Sequence, residues 1–442
     1  MPTLMRLARS GSTPPEIVEV AKAEGVDPNV LRQRVAEGRV IIVRNVAREG
    51  VRPLGIGEGL RTKVNVNVGT STHVVDVEME LEKVRVAKKY GADSIMDLSI
   101  GGDLDAIRRA ILRESTPLPL GTVPTYQAWM ETVARGKGLP DEDYFLKVVE
   151  RHLRDGVDFM TIHAAITREL AEKAVKSNRI QPIVSRGGAL LAAWMLETGN
   201  ENPYWKNFDY LLELFAEYDA TISLGDSLRP GAIHDAHDEL QMLELVNNAR
   251  LVERAREHGV MVMVEGPGHV PLNQVVEDVR IMKALTKGAP YYVLGPLVTD
   301  VAPGYDHIGT AIGAALAAAA GADFICYVTP AEHLSLPTPE QVREGLIAAR
   351  IAAHAGDIVK LGERAAAWDR LVAEARARLD WKTMIENSMD PDRAWKIYTQ
   401  FGAQLPSCTM CGSLCACLVL EKWARRLRGR REESREVEAS AH

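Results

Sequence analysis

Four of the five cysteines, Cys408, Cys411, Cys415 and Cys417, fall in one short segment, CTMCGSLCAC. Thiolates at this spacing ligate a metal or cluster rather than build a disulfide framework. Three of them on a [4Fe–4S] cluster would leave one iron open to the amino and carboxylate groups of S-adenosylmethionine. Reduction of the sulfonium would then start radical chemistry. The alternative is a closed four-thiolate zinc site that uses Cys417. The fifth thiol, Cys326 inside the apolar run FICYV, reads as a buried core residue.

A second set of chemistry-bearing residues ends short β-branched runs. Asn67 closes VNVNVG, Met96 and Asp97 lie in SIMDLS, Tyr126 follows GTVPT, and His163 ends FMTIH. Ser185, Arg186 and Gly187 end QPIVSRG, Asp226 and Arg229 lie in GDSLRPG, Glu265 in EGPGH and Tyr292 in YYVLGP. The glycines beside Arg186 and Arg229 let backbone N–H groups approach an anion that the guanidiniums grip, which suits a phosphate. His269, four residues after Glu265, and His333 in CYVTPAEH could hold Zn²⁺ or another divalent ion, with His307 as a rival ligand.

The elements that must position these residues repeat along the chain. KKYGADSIMDLS, LRDGVDFMTIHA, AEYDATISLGD, REHGVMVMVEGPG and AAAGADFICYVTP each read as helix, turn and buried parallel strand. With VNVNVG, GTVPTY, QPIVSR and YYVLGP added there are nine candidate strands, one more than a closed (β/α)8 TIM-type barrel holds. In such a barrel the C-terminal strand ends share one mouth, where the polar residues above converge. Residues 1–62 form a small N-terminal module with a helix after Thr13-Pro14-Pro15, a strand GRVIIVRN and a glycine-rich bridge PLGIGEGL. Residues 63–360 form the barrel, and 361–442 a helical module carrying the cysteines and a densely charged tail.

With 442 residues, 46% hydrophobic and 26% charged, the composition is that of a globular chain, and a net charge of −7 gives no field for nucleic acid or an anionic membrane. The N-terminal residues lack an apolar signal core, and the run 311–320 is too short to span a bilayer, so a cytoplasmic location is expected.

Taken in order, VNVNVGTS, MDLS, GTVPTYQA, DFMTIHA, SRGG, SLGDSLRPG, EGPGHVPL, LGPLVTDVAPGYDHI, GADFICYVTPAEHL and CTMCG resemble the phosphomethylpyrimidine synthase (ThiC) family, which makes the thiamine pyrimidine. The resemblance runs from about residue 52 to 417. It implies a radical S-adenosylmethionine lyase acting on 5-aminoimidazole ribotide, with a [4Fe–4S] cluster on a C-terminal tail. It further implies an electron donor such as flavodoxin or ferredoxin, and a homodimer in which one protomer's tail closes the other's barrel. By position, the implied substrate contacts are Asn67, Met96, Tyr126, His163, Ser185, Arg186, Gly187, Asp226, Ser227, Leu228, Arg229, Glu265 and Tyr292. The implied metal ligands are His269 and His333 for zinc, and Cys408, Cys411 and Cys415 for the cluster. Glu265 and these three cysteines carry the catalysis.

Four features depart from the family pattern. Longer members have four residues between the second and third cluster cysteines, whereas here three separate Cys411 from Cys415 and five separate it from Cys417; Ser227 stands where the family has glycine in GDGLRPG, a proline-containing stretch near residue 43 reads VRN, and the helix that usually carries LGELV reads LVNNARLV around Asn247 and Asn248. The resemblance includes a sister group, the 5-hydroxybenzimidazole synthases of anaerobic cobamide synthesis, which start from the same ribotide. Ser227 is the residue expected to guide the choice of product. A zinc-dependent barrel hydrolase or lyase is the reading that needs neither cluster nor reductant.

Overall fold

Two apolar runs near the N-terminus pair first: β1 (Val40–Val43) lies antiparallel to β2 (Leu54–Gly57), with Ile41 opposite Ile56. The glycine-rich bridge is therefore itself a strand. Eight further strands follow: β3 (Lys63–Val68), β4 (Ser94–Asp97), β5 (Leu120–Thr122), β6 (Phe159–Ile162), β7 (Thr221–Leu224), β8 (Val262–Gly266), β9 (Tyr291–Leu294) and β10 (Phe324–Cys326). They close into a parallel barrel in chain order, with β10 completing the ring against β3, so the chain is a (β/α)8 TIM-type fold. In this computed structural model, residues 2–402, 407–424 and 426–427 are described.

The ninth candidate strand, QPIVSR, is a loop that ends at Ser185, the N-cap of the helix Arg186–Thr198. At its start the amides of Ile180 and Gln181 are held by the Asp235 carboxylate, and Pro182 has no N–H to offer a sheet. An apolar run of this length does not by itself distinguish a strand from a loop.

Side chains on a strand alternate between two faces, and here the alternation separates two cores. Val64, Val66, Ile95, Met160, Ile162, Ile222, Val264 and Val293 face outward and pack with the surrounding helices. Met96, Phe159, Met263, Tyr292, Phe324 and Cys326 join Leu4, Met5, Ile41 and Val43 of the N-terminal segment in a second core. The N-terminal segment thus plugs one end of the barrel.

Polar contacts identify that end as the one where the strands begin. Thr3 Oγ1 donates to the carbonyl of Gly259 (2.6 Å), and the Leu4 amide donates to Asp219 (3.2 Å). Asn45 Nδ2 donates to the carbonyls of Leu153 and Val157 (2.9 Å each). Gly259, Asp219 and Val157 directly precede β8, β7 and β6, so the floor is filled and the mouth at the strand C-termini remains available.

The chain divides into two compact units, Met1–Gly362 and Glu363–His442. Residues 1–62 and the long helix Pro339–Leu361 belong to the barrel unit, the helix packing on its neighbour Asp306–Ala320. The second unit contains the helices Glu363–Ala377, Trp381–Glu386 and Pro391–Thr399 and the cysteine segment.

Beneath the floor, Arg48 pairs with the fully buried Asp158 and donates to Leu112 O (2.7 Å), while Asp158 also accepts the Leu120 amide (2.8 Å). Removing one member of a buried ion pair leaves the other unpaired at a cost of about 3–5 kcal/mol. Arg48→Ala should therefore lower the thermal unfolding midpoint by several degrees. The loss should be smaller at pH 5 than at pH 7, because a proton can neutralise the stranded Asp158 carboxylate. A loss equal at both pH values would contradict an unpaired buried charge as its cause.

Candidate functional site

At the open end of the barrel, inward-facing residues line a cleft of about 490 Å³. Of the residues expected there, Asn67, Met96, Tyr126, His163, Arg229, Glu265 and Tyr292 line it together. The register explains this convergence. Asn67 lies opposite Met96 across β3 and β4, and Glu265 lies opposite Tyr292 across β8 and β9; Asn67, Met96 and Glu265 are each next to last in their strands.

Buried polar side chains need partners, and several in the barrel interior find them in one another. Asn65 Nδ2 donates to Asn67 Oδ1 and to Tyr292 Oη (2.8 Å each), and Ser94 Oγ donates to Asn65 Oδ1 (2.7 Å). Asn67 Nδ2 then donates to Cys326 Sγ (3.1 Å). Four strands are thereby joined by one polar chain just beneath the cleft.

Glu265 carries the carboxylate of the cleft. Its Oε1 accepts hydrogen bonds from Thr161 Oγ1 (2.6 Å) and Ser223 Oγ (2.8 Å). Burial raises its pKa, and the two hydroxyls act against that shift by stabilising the anion. His163 lies across the cleft, its Nε2 3.2 Å from Ser185 Oγ. Burial and then the Arg229 charge push its pKa down to about 3, so the ring is neutral at pH 7. That ring sits where side chains on Gly187 or Gly225 would lie: a Cβ would come within 2.2 Å and 2.7 Å of it, respectively. Gly187 therefore makes room for a cleft residue instead of lining the cleft.

The two arginines expected to grip one phosphate face adjacent cavities. Arg229 lines the cleft, with Nη1 donating to Asp226 O (3.1 Å). Arg186 lies over the Tyr126 ring, 5.0 Å from its centroid, and lines a neighbouring cavity with Lys83, Thr70 and Glu332. The two cavities share Asn67 and Leu98.

Ser227 and Leu228 are fully buried behind the cleft wall, and neither lines it. The Ser227 side chain packs against Gly188, where a Cβ would come within 2.7 Å of Ser227 Cβ. In GDSLRPG the turn aims Arg229 into the cleft and the serine away from it. Asp226 is buried, with Oδ2 unpartnered among the described residues.

Cys326 is buried, but it is a wall of the cleft and not a residue of the outer core. Burial pushes its thiol up to about 12, which keeps it protonated. Thr161 was also missing from the expected set, although alternation in FMTIH places it on the same face as Phe159 and His163.

His269 and His333 stand close, with ring centroids 5.3 Å apart. His269 Nδ1 meets Asp300 Oδ1 (2.7 Å) and His333 Nδ1 meets Asp306 Oδ1 (3.1 Å), which leaves each Nε2 for another partner. His307 instead turns its Nε2 toward Glu344 (3.5 Å). Among the described residues, no three His, Cys, Asp or Glu side chains converge as a ready metal site.

In the second unit, Cys408 and Cys411 flank a tight turn: the Gly412 amide donates to Cys408 O (3.1 Å) and the Leu414 amide to Cys411 O (3.0 Å). Cys415 ends the turn and opens the helix 416–424, its carbonyl accepting the Val419 amide (2.9 Å), whereas Cys417 lies within that helix.

Comparison with known proteins adds an independent finding. Residues 3–422 match the Radical SAM ThiC family. Phosphomethylpyrimidine synthase of Ignicoccus hospitalis is 61% identical over 428 residues, covering 96% of this chain and 98% of that one. The proteins of the same name from Sulfolobus acidocaldarius and Pyrobaculum aerophilum are 58% and 56% identical, covering 93% and 96% of this chain and 97% and 99% of theirs.

The Glu265 environment yields a direct test. Replacing Thr161 by Val and Ser223 by Ala removes both donors to the anion, so the Glu265 carboxyl should titrate at higher pH, by about one unit or more. Difference infrared titration against Glu265→Gln isolates that carboxyl. An unchanged titration in the double variant would show that the hydroxyls do not hold the charge.

Proposed function

Because the chain belongs to the Radical SAM ThiC family, we propose that it converts 5-aminoimidazole ribotide to 4-amino-5-hydroxymethyl-2-methylpyrimidine phosphate for thiamine synthesis. The observation that carries this reading is the convergence of Asn67, Met96, Tyr126, His163, Arg229, Glu265 and Tyr292 on one cleft at the barrel mouth. The pyrimidine product is favoured over 5-hydroxybenzimidazole by relatives at 56–61% identity that bear the pyrimidine synthase name.

Each side chain has a role that follows from its setting. Arg229 binds the phosphate from the cleft wall, and the Ser185–Gly187 helix start supports it from behind His163 through its N-terminal dipole. Arg186, held over Tyr126, neutralises anionic charge from the adjacent cavity. Neutral His163 accepts or donates a hydrogen bond without adding charge beside Arg229. Asn67 and Tyr292, fixed through Asn65, orient the heterocycle, and Glu265 holds or moves a proton on it. Met96, Leu98, Val123 and Leu294 exclude water from reactive species.

Cys408, Cys411 and Cys415 hold the [4Fe–4S] cluster, as three thiols presented by a turn and by the residue that opens a helix. Bound there with S-adenosylmethionine, the cluster would supply the one-electron reduction that starts radical chemistry, its electron coming from a low-potential donor such as flavodoxin or ferredoxin. His269 and His333 bind a divalent metal such as zinc, which their carboxylate-held Nδ1 atoms support, because ligating histidines commonly anchor the second nitrogen this way. The family resemblance supports a homodimer. A cytoplasmic enzyme agrees with the absence, among the described residues, of any helix long and apolar enough to cross a membrane.

One anaerobic preparation tests these assignments. With dithionite, S-adenosylmethionine and ribotide, mass spectrometry should find 5′-deoxyadenosine and the pyrimidine phosphate; 5-hydroxybenzimidazole without the pyrimidine would reverse the product assignment. In the same preparations Cys415→Ala should lose iron and activity and Cys417→Ala should keep both. His269→Ala and His333→Ala should lose the divalent metal. Zinc without iron at the cysteines would refute the radical reading.

A further inference from the structure

Behind the loop that carries Arg229, a carboxylate outside the cleft holds the backbone. Glu244, on the helix Glu239–His258, is 1% exposed and accepts the Ser227 amide at Oε1 (2.9 Å) and the Leu228 amide at Oε2 (2.6 Å). Both oxygens are used, each by a consecutive N–H of the turn that directs Arg229 into the cleft. The same helix reaches a second loop of the mouth, where Asn247 Nδ2 donates to Ala165 O (3.0 Å), two residues beyond His163. Neither residue lines the cleft, and both hold segments that do.

We infer that Glu244 is a positioning residue for ribotide binding: its carboxylate clamps the Ser227 and Leu228 amides and so fixes Arg229 toward the substrate. The inference rests on the ribotide occupying the cleft. The clamp works best as an anion, because only an ionised carboxylate offers both oxygens as acceptors without a competing O–H. Asp226 completes the picture. Burial and the adjacent Glu244 charge raise its pKa well above the ordinary carboxyl range, and burial raises Glu244 as well. The Ser227 and Leu228 amides favour the charged form of Glu244, the form in which both of its oxygens hold the loop.

Glu244→Gln preserves size but turns an amide NH₂ toward one of the two N–H groups. Glu244→Asp preserves charge but is one methylene too short to reach both. In the full-length chain, ribotide affinity measured by calorimetry should fall about tenfold or more in each variant, the scale of one lost charge-assisted hydrogen bond. In anaerobic turnover KM for ribotide should rise by a similar factor while kcat falls much less. A merely structural defect would instead reduce the active fraction, lowering kcat at unchanged KM. Unchanged affinity in both variants, with the wild-type chain binding ribotide, would overturn the inference alone. No ribotide binding by the wild-type chain would overturn the functional reading and the inference with it. Loss of the folded state in both variants would also overturn it, by making Glu244 a determinant of the barrel.

Discussion

A closed parallel barrel turns every second side chain inward, and any polar group placed there must find its partner inside. That constraint organises this protein. Near the floor apolar inward residues are met by the N-terminal segment, Leu4, Met5, Ile41 and Val43 among them, and the buried Lys63 pairs there with Glu24 (2.9 Å). Toward the mouth they become Asn65, Asn67, Thr161, Ser223, Glu265 and Tyr292, which hydrogen-bond to one another across strands. The cleft is the upper end of this network. Its side chains are held in place before any ligand arrives, the condition for binding and catalysis with little reorganisation.

The network also shapes the charges. Glu265 is buried but supported by two hydroxyls, His163 is buried beside Arg229 and remains neutral, and Cys326 is buried and remains a thiol. Arg229 is thus the cation of the cleft itself, and Arg186 serves the cavity beside it. A phosphorylated, nitrogen-rich substrate suits this combination of one carboxylate, one guanidinium and several neutral donors and acceptors.

Much of this was legible in the sequence. Helix, turn and β-branched run recur closely enough to give the barrel, because period-two and helical patterns are local. QPIVSR imitates a strand in its apolar residues, whereas the amides at its start, of Ile180 and Gln181, are taken by Asp235, a partner 54 or 55 residues away that no local pattern reveals. Cys326 is the buried core thiol that its apolar run indicates, and it also lines the cleft, because burial and cleft-lining coincide at a narrow barrel mouth. Ser227 stands in a glycine-rich motif that the family resemblance places at the substrate; its side chain is buried behind the cleft wall, while Arg229 of the same turn lines the cleft. Glu244 lies on an outer helix, and its hold on the 226–229 loop depends on tertiary packing alone.

The central claim is that a radical generated by S-adenosylmethionine acts on a ribotide held in this cleft. The most direct measurement uses ribotide deuterated on its ribose carbons, with 5′-deoxyadenosine isolated after anaerobic turnover. Deuterium carried into the methyl group of 5′-deoxyadenosine is the predicted result, since the radical must take its hydrogen from the substrate. 5′-Deoxyadenosine that forms during turnover without label from any ribose position would contradict the account.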